Sequence, residues 1–77
     1  MLATKAIEEV ACSDRLAEYI YKLCRLWSVP RQDSGDIIQA ARMEILACAD
    51  KFRPDMGTAI SWCRGIARKK VRQYLDQ

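Results

Sequence analysis

Basic side chains recur near the end of the chain at a spacing that suits binding to a polyanion. Arg64, Arg68 and Arg72 stand four residues apart, and Lys69 and Lys70 lie beside them. Because side chains four apart share one side of an α-helix, this segment predicts a helix that can follow a row of phosphates. Basic rows are also common on helices that face only solvent, so the pattern alone leaves both interpretations open.

A tryptophan stands just before this basic row. Trp62 has the flat ring that stacks on an unpaired base when a protein holds single-stranded nucleic acid. The same indole can equally pack in a hydrophobic core, and the residues around it do not decide between the two roles. Gly65 lies inside the same predicted helix, where glycine costs roughly 1 kcal/mol relative to alanine. That cost suggests close packing at Gly65.

The four cysteines and the acidic residues do not form a catalytic or metal-binding pattern. The cysteines are Cys12, Cys24, Cys48 and Cys63; no CxxC pair and no histidine occur in the sequence. We interpret the thiols as small apolar side chains on helix faces and expect no metal, cofactor or disulfide framework. Cys63 precedes Arg64 but has no evident base, and the acids are scattered. The protein is therefore not expected to be an enzyme.

Length and composition predict one compact domain over residues 1–77. Half of the residues are hydrophobic, and no run of 18 apolar residues or signal-peptide pattern occurs, so we expect a soluble cytoplasmic protein. Charge is uneven along the chain. Residues 1–50 hold six basic and eight acidic side chains, and residues 51–77 hold seven basic and two acidic ones. This asymmetry suggests two different partners, one of them a polyanion such as DNA.

The chain is predicted to be all-α, a compact three- to four-helix bundle, because glycine and proline are few and β-branched residues never alternate. The expected helices cover Ala3 to Val10, Ser13 to about Ser28, Asp33 or Ser34 to Phe52, and Thr58 to Leu75. Ser13 is a good N-cap, and Pro30 ends the second helix by disfavouring helical backbone at Val29.

The third helix has the clearest apolar repeat in the sequence. Its inward positions follow spacings of 3, 4, 3 and 4 and are Ile38, Ala41, Ile45, Cys48 and Phe52. Its opposite face consists of Asp36, Gln39, Ala40 and Met43. In the fourth helix, Ile60, Cys63, Ala67, Val71 and Tyr74 are expected to face inward.

From Asp33 onward the chain resembles region 2 of sigma-70 family transcription factors, especially the extracytoplasmic-function type. Asp36-Ile37-Ile38-Gln39 followed by Asp50-Lys51-Phe52 is similar to the polymerase-binding helix of the family. Pro54 and Gly57 resemble the turn that closes that helix. Trp62, Ile66-Ala67-Arg68 and Tyr74-Leu75 resemble the promoter-facing helix.

This resemblance implies two binding faces. It assigns contacts with the clamp helices of core RNA polymerase to the third helix, through Asp33, Asp36, Gln39, Arg42 and Met43. It assigns contacts with the promoter −10 element, including its unpaired non-template strand, to the fourth helix, through Trp62, Arg64, Arg68, Lys69 and Arg72.

The sequence also departs from the family pattern. Ala40 stands where a glutamate is usual, and no segment resembling a −35-binding domain follows Tyr74. We therefore expect either an excised domain or a small protein that acts as half of a two-subunit sigma factor. The alternatives are a sigma mimic that occupies an anti-sigma factor or blocks the polymerase clamp, and an unrelated helical binding domain.

Overall fold

Four α-helices make up most of the described part of the chain, which confirms the all-α prediction. The structure is a computed structural model that describes the backbone of residues 2–76 and the side chains of residues 4–76. The helices are α1 (Leu2–Ala11), α2 (Asp14–Leu26), α3 (Arg31–Ala47) and α4 (Ala59–Leu75). Two single turns of 3₁₀-helix, Ala49–Lys51 and Pro54–Met56, connect α3 to α4.

The helix starts are determined by local capping. Ser13 accepts a hydrogen bond from the backbone N–H of Leu16 at 3.3 Å, as its position in the sequence predicts. Thr58 caps α4 in the same way through the N–H of Ser61, at 3.2 Å. The prediction for α3 was wrong, because this helix begins at Arg31, directly after Pro30. Proline has its φ fixed near the helical value and leads into the first turn without a side-chain cap.

The end of α2 explains how the chain turns toward α3. Ser28 has a left-handed backbone (φ 58°), and the N–H of Val29 donates to the carbonyl of Cys24 at 2.8 Å. This is the Schellman arrangement, in which a residue in left-handed conformation lets the last carbonyls of a helix find donors. Val29 is buried and anchors the turn on the core.

The end of α3 also differs from the prediction. The apolar repeat continues through Cys48 to Phe52, but the α-helix ends at Ala47 and Phe52 follows a 3₁₀ turn. The tighter turn keeps Ala49 buried and leaves Phe52 half-buried against the core. The change of helix type brings Phe52 beside α4 instead of extending α3.

One core cluster joins all four helices. Its fully buried side chains include Ile7, Leu16, Ile20, Cys24, Ile45, Cys63 and Val71. The predicted inward positions Ile38, Ala41 and Ala67 are also buried, whereas Ile60 and Tyr74 are half-buried. Sequence periodicity missed the contribution of α1, where Ile7 and Ala11 have no exposed surface and complete the core.

Candidate polymerase and nucleic-acid interfaces

The outer face of α3, defined here as Asp36, Gln39 and Met43, is exposed in one row. These positions are three and four residues apart, so their side chains lie on the same side of the helix. Met43 is 71% exposed, and Leu46, one turn from Met43, is 44% exposed. Ala40 is exposed beside them. This face combines a carboxylate, an amide and apolar surface, and it offers a partner both polar and hydrophobic contacts.

The other two predicted polymerase-binding residues lie at the edges of α3 and contact neighbouring helices. Asp33 accepts a hydrogen bond from the Tyr74 hydroxyl of α4. That hydrogen bond raises the pKa of Tyr74 above its usual value, because it stabilises the protonated phenol. On the opposite edge, Arg42 Nε donates to the carbonyl of Ala11 at 2.9 Å. Both residues therefore hold helices together, a role that sequence reasoning missed.

The predicted DNA-binding residues of α4 spread over the outer half of the helix and do not form a single row. At about 100° per residue, Trp62 and Arg64 lie on nearly opposite flanks of the helix. Arg64 and Arg68 contact Tyr19 of α2, and Arg72 lies beside Trp27 at the end of α2. Trp62 and Lys69 line a groove toward α3. The exposed glycine Gly65 separates these two flanks.

The α2-facing flank of α4, named here the arginine row, consists of Arg64, Arg68 and Arg72. The guanidinium of Arg64 lies 4.8 Å from the centroid of the Tyr19 ring. Arg68 donates to the Tyr19 hydroxyl at 3.3 Å. Among the described residues, no group accepts a hydrogen bond from the solvent-shielded Nε of Arg64. None of the three arginines forms an ion pair among the described residues, so their positive charge is not compensated within the domain.

Lys70 differs from the arginine row, although the sequence grouped them together. Its ammonium lies 3.4 Å from the carboxylate of Glu44 on α3. The pKa of Glu44 is lowered by a hydrogen bond from the Cys48 thiol and by the nearby Lys70 charge. The same hydrogen bond raises the pKa of Cys48, since it stabilises the protonated thiol. Lys70 therefore joins α4 to α3.

An open groove lies where the α3–α4 connection meets α4. The rings of Phe52 and Trp62 form one wall, with centroids 5.6 Å apart and planes inclined by 57°. The remaining lining residues are Lys51, Arg53, Met56, Gly57, Thr58 and Ser61. We call this the aromatic groove. Its aromatic wall and flanking cations suit a flat ring attached to a phosphate.

Trp62 packs on the core and keeps part of its ring at the surface. The indole is half-buried and packs on the core cluster while it lines the groove. Gly57 shapes the loop below it with φ 152°, a backbone conformation that favours glycine. Gly65 does not show the predicted close packing, because a side-chain carbon at that position would meet nothing within 4 Å.

The cysteines occupy separate environments. Cys24 and Cys63 are buried in the core, Cys48 is half-buried, and Cys12 is exposed; all four are free thiols. Burial raises the pKa of Cys63 to about 11, so this thiol is a poor nucleophile at neutral pH. Within residues 4–76, no three metal-ligating side chains come together. None of the described helices has the length and apolar character required to cross a membrane.

Comparison with known proteins gives one finding that agrees with this geometry. No curated protein and no solved structure matches the chain. A family model does match: sigma-70 region 2 aligns with residues 12–77, which include all of α2, α3 and α4. The chain therefore belongs to the sigma-70 region 2 family, whose members are domains of transcription initiation factors.

Proposed function

We propose that this protein is an extracytoplasmic-function-like sigma region 2 that binds core RNA polymerase and the promoter −10 element in the cytoplasm. One observation carries the proposal: the outer face of α3 and the exposed flanks of α4 present different chemistry on different helices. The first is polar and apolar, and the second is cationic and aromatic. Two such surfaces suit one protein partner and one nucleic-acid partner.

The polymerase contact is assigned to the outer face of α3. Asp36 offers a charge to cationic groups of the clamp helices, and Gln39 offers hydrogen bonds. Met43 supplies adaptable apolar contact, as methionine does at many protein interfaces. Asp33 and Arg42 contribute at the edges, where each already bonds to a neighbouring helix. Those bonds support the orientation of α3 relative to the rest of the domain.

The promoter contact is assigned to both flanks of α4. The arginine row and Lys69 would neutralise phosphates, and the aromatic groove would receive an unpaired base against Trp62. Stacking on an aromatic side chain contributes about 1–3 kcal/mol per base. A few phosphate contacts give weak, salt-sensitive binding by themselves. We therefore expect useful promoter binding only with polymerase or with a second sigma subunit.

A sigma mimic remains the second candidate, and one observation favours it. Ala40 is exposed on the same side of α3 as Asp36 and Met43, where the family usually has a glutamate. The face therefore lacks a carboxylate that would help to hold polymerase. A mimic with this surface would occupy an anti-sigma factor or block the clamp without opening a promoter.

The test compares polymerase capture with promoter opening. The chain is mixed with core polymerase, with and without a candidate co-subunit, and unpaired thymines in the −10 element are detected by permanganate footprinting. Polymerase capture with thymine reactivity supports the initiation function. Capture with no reactivity under any partner combination supports the mimic. Absence of capture contradicts the initiation function and the mimic that blocks the clamp. Binding to an anti-sigma factor without polymerase capture would then support the other form of the mimic.

A further inference from the structure

Tyr19 of α2 lies between two arginines of α4, and nothing in the sequence pattern assigns it a role. Its ring lies beneath the Arg64 guanidinium, and its hydroxyl accepts a hydrogen bond from Arg68. These contacts join residues 45 and 49 positions apart in the chain. A single side chain of α2 thus contacts two members of the arginine row.

The neutrality of tyrosine matters for what these arginines can bind. A ring face attracts a cation through its quadrupole, and a hydroxyl accepts a hydrogen bond, but neither neutralises the guanidinium. The carboxylate of Glu44, by contrast, compensates the charge of Lys70 at 3.4 Å. Arg64 and Arg68 are therefore held in place with their full charge available to a phosphate. Holding them also lowers the entropy lost when DNA binds.

Two further cations lie on the same side of α2 as Tyr19. Arg15 precedes it by four residues and Lys22 follows it by three, and both are exposed. Neither takes part in an ion pair among the described residues. These two cations add positive charge on the side of α2 that carries Tyr19, where the exposed Glu18 lies one turn from each of them. The aromatic groove lies on the other flank of α4.

We propose that Tyr19 is a positioning residue for duplex DNA, orienting Arg64 and Arg68 toward the phosphate backbone, and that Arg15 and Lys22 extend this surface onto α2. The inference rests on the proposed promoter-binding function and adds α2 to it. Double-stranded DNA fits because a row of cations suits phosphates, and because the ring of Tyr19 is already covered by Arg64 and does not offer its face to an unpaired base.

A double-mutant cycle separates positioning from simple packing, since Tyr19 also packs against the core. Tyr19→Phe keeps the ring and removes the hydroxyl that Arg68 uses. It should weaken binding to a short fluorescent DNA duplex at low salt by about twofold to tenfold. In an Arg68→Ala background the same change should have no effect. Equal losses in both backgrounds would mean that Tyr19 acts only through the fold and would overturn the proposal.

NMR spectroscopy tests the contact between the Tyr19 ring and the Arg64 guanidinium. The side-chain NMR signals of Arg64 should carry a ring-current shift that Tyr19→Phe retains and Tyr19→Leu abolishes. If the Arg64 signals are unchanged in Tyr19→Leu, the Tyr19 ring does not position Arg64. If Tyr19→Leu fails to fold, the cycle with Tyr19→Phe still decides the question.

Two variants that each remove one positive charge test whether the DNA-binding surface extends onto α2. Arg15→Gln should lower the salt slope of duplex binding by about one, the change expected for a lost phosphate contact. Arg31→Gln removes the same charge at the start of α3, in a groove with Tyr21 and Arg25, and should leave the slope unchanged. Equal effects would indicate net charge alone and overturn the extension.

These outcomes also distinguish the inference from the proposed function. If Arg68→Ala itself leaves duplex binding unchanged, the promoter-binding assignment of the arginine row fails. Suppose instead that Arg68→Ala weakens binding, while Tyr19→Phe either has no effect or has the same effect with and without Arg68. The arginine row then still binds DNA, and the positioning role of Tyr19 is wrong.

Discussion

The two candidate binding surfaces differ in how far they are tied to the fold. The central residues of the α3 outer face are exposed and project away from the bundle. On α4, by contrast, Arg64 and Arg68 contact Tyr19, and Trp62 packs both on Phe52 and on the core. Substitutions on the α3 face should therefore change binding alone. Substitutions on α4 should change binding and stability together.

The largest effect is expected inside α3, immediately behind its outer face. Ile45 has no exposed surface, and Ile45→Ala should lower the free energy of unfolding by about 2–5 kcal/mol. In a 77-residue domain that loss can be enough to unfold the protein. Thermal denaturation followed by circular dichroism measures it. Leu46→Ala, at the 44% exposed neighbour, should cost much less. Equal losses would show that the core is assigned wrongly.

Trp62 gives the sharpest test of coupling between binding and stability on α4. Trp62→Ala should lower the melting temperature and impair opening of the −10 element more than initial binding, because stacking contributes about 1–3 kcal/mol per base. Trp62→Phe keeps an aromatic ring and should restore much of both properties. Permanganate footprinting with reconstituted polymerase measures opening.

Arg68→Ala supplies the contrast within the same helix. It should weaken binding to all sequences and flatten the salt dependence, while selective loss of opening should be confined to Trp62→Ala. If Trp62→Ala only unfolds the protein and the loss of opening in each Trp62 variant simply follows its loss of folded protein, the indole belongs to the core and the stacking assignment is wrong.

On the outer face of α3, charge reversal should affect binding without affecting the fold. Asp36→Arg should weaken polymerase capture by about tenfold, since a repulsive charge at an interface costs on the order of 1 kcal/mol or more. Its melting temperature should match that of the wild type. Asp76→Arg reverses an exposed charge at the end of α4 and serves as the control. Unchanged polymerase affinity in Asp36→Arg would exclude this face from the interface.

The buried side of α4 predicts an alkaline loss of stability. Burial raises the pKa of Cys63 from its usual 9.0 to about 11. Between these two pH values the thiol is ionised in the unfolded chain but still neutral in the folded one, which favours unfolding. The contribution of the Cys63 thiol to the free energy of unfolding is therefore fully present below pH 9 and is lost as the pH rises from 9 toward 11. Melting temperatures should fall across that window. Cys63→Ala should reduce the fall, and Cys12→Ala, at an exposed thiol, should not.

Local signals made much of the fold predictable. The apolar repeats of α3 and α4 identify Ile45 and Val71 as core, and Ser13 and Thr58 mark helix starts through their hydroxyls. Each signal depends on residues within a turn or two of one another. The resemblance to sigma-70 region 2 is confirmed by the match over residues 12–77, and the two binding faces that it implies stay predictions.

The parts that could not be predicted depend on contacts between distant residues. The bonds from Arg42 to Ala11, from Tyr74 to Asp33 and from Arg68 to Tyr19 join positions 31 to 49 residues apart. The end of α3 was misplaced for a different reason. A 3₁₀ turn keeps Ala49 buried and Phe52 half-buried, so the hydrophobic pattern continues while the α-helix does not.

The smallest effect is expected at Gly65, between the two flanks of α4. Gly65 lies on the exposed ridge between them, where an added side-chain carbon meets nothing. Gly65→Ala should therefore stabilise the domain by about 0.5–1 kcal/mol. Gly35→Ala, at an equally open position in α3, should give the same gain and provides the matched control.

Binding should distinguish these two stabilised variants. If one strand contacts both the arginine row and the aromatic groove, a direct path between them crosses Gly65, and a methyl group there would lie in that path. Gly65→Ala should then weaken binding to a forked duplex while leaving binding to an uninterrupted duplex unchanged. Gly35→Ala should change neither, as measured by fluorescence anisotropy. If Gly65→Ala binds both DNAs as the wild type does, no strand crosses the ridge, and the two flanks of α4 contact DNA independently.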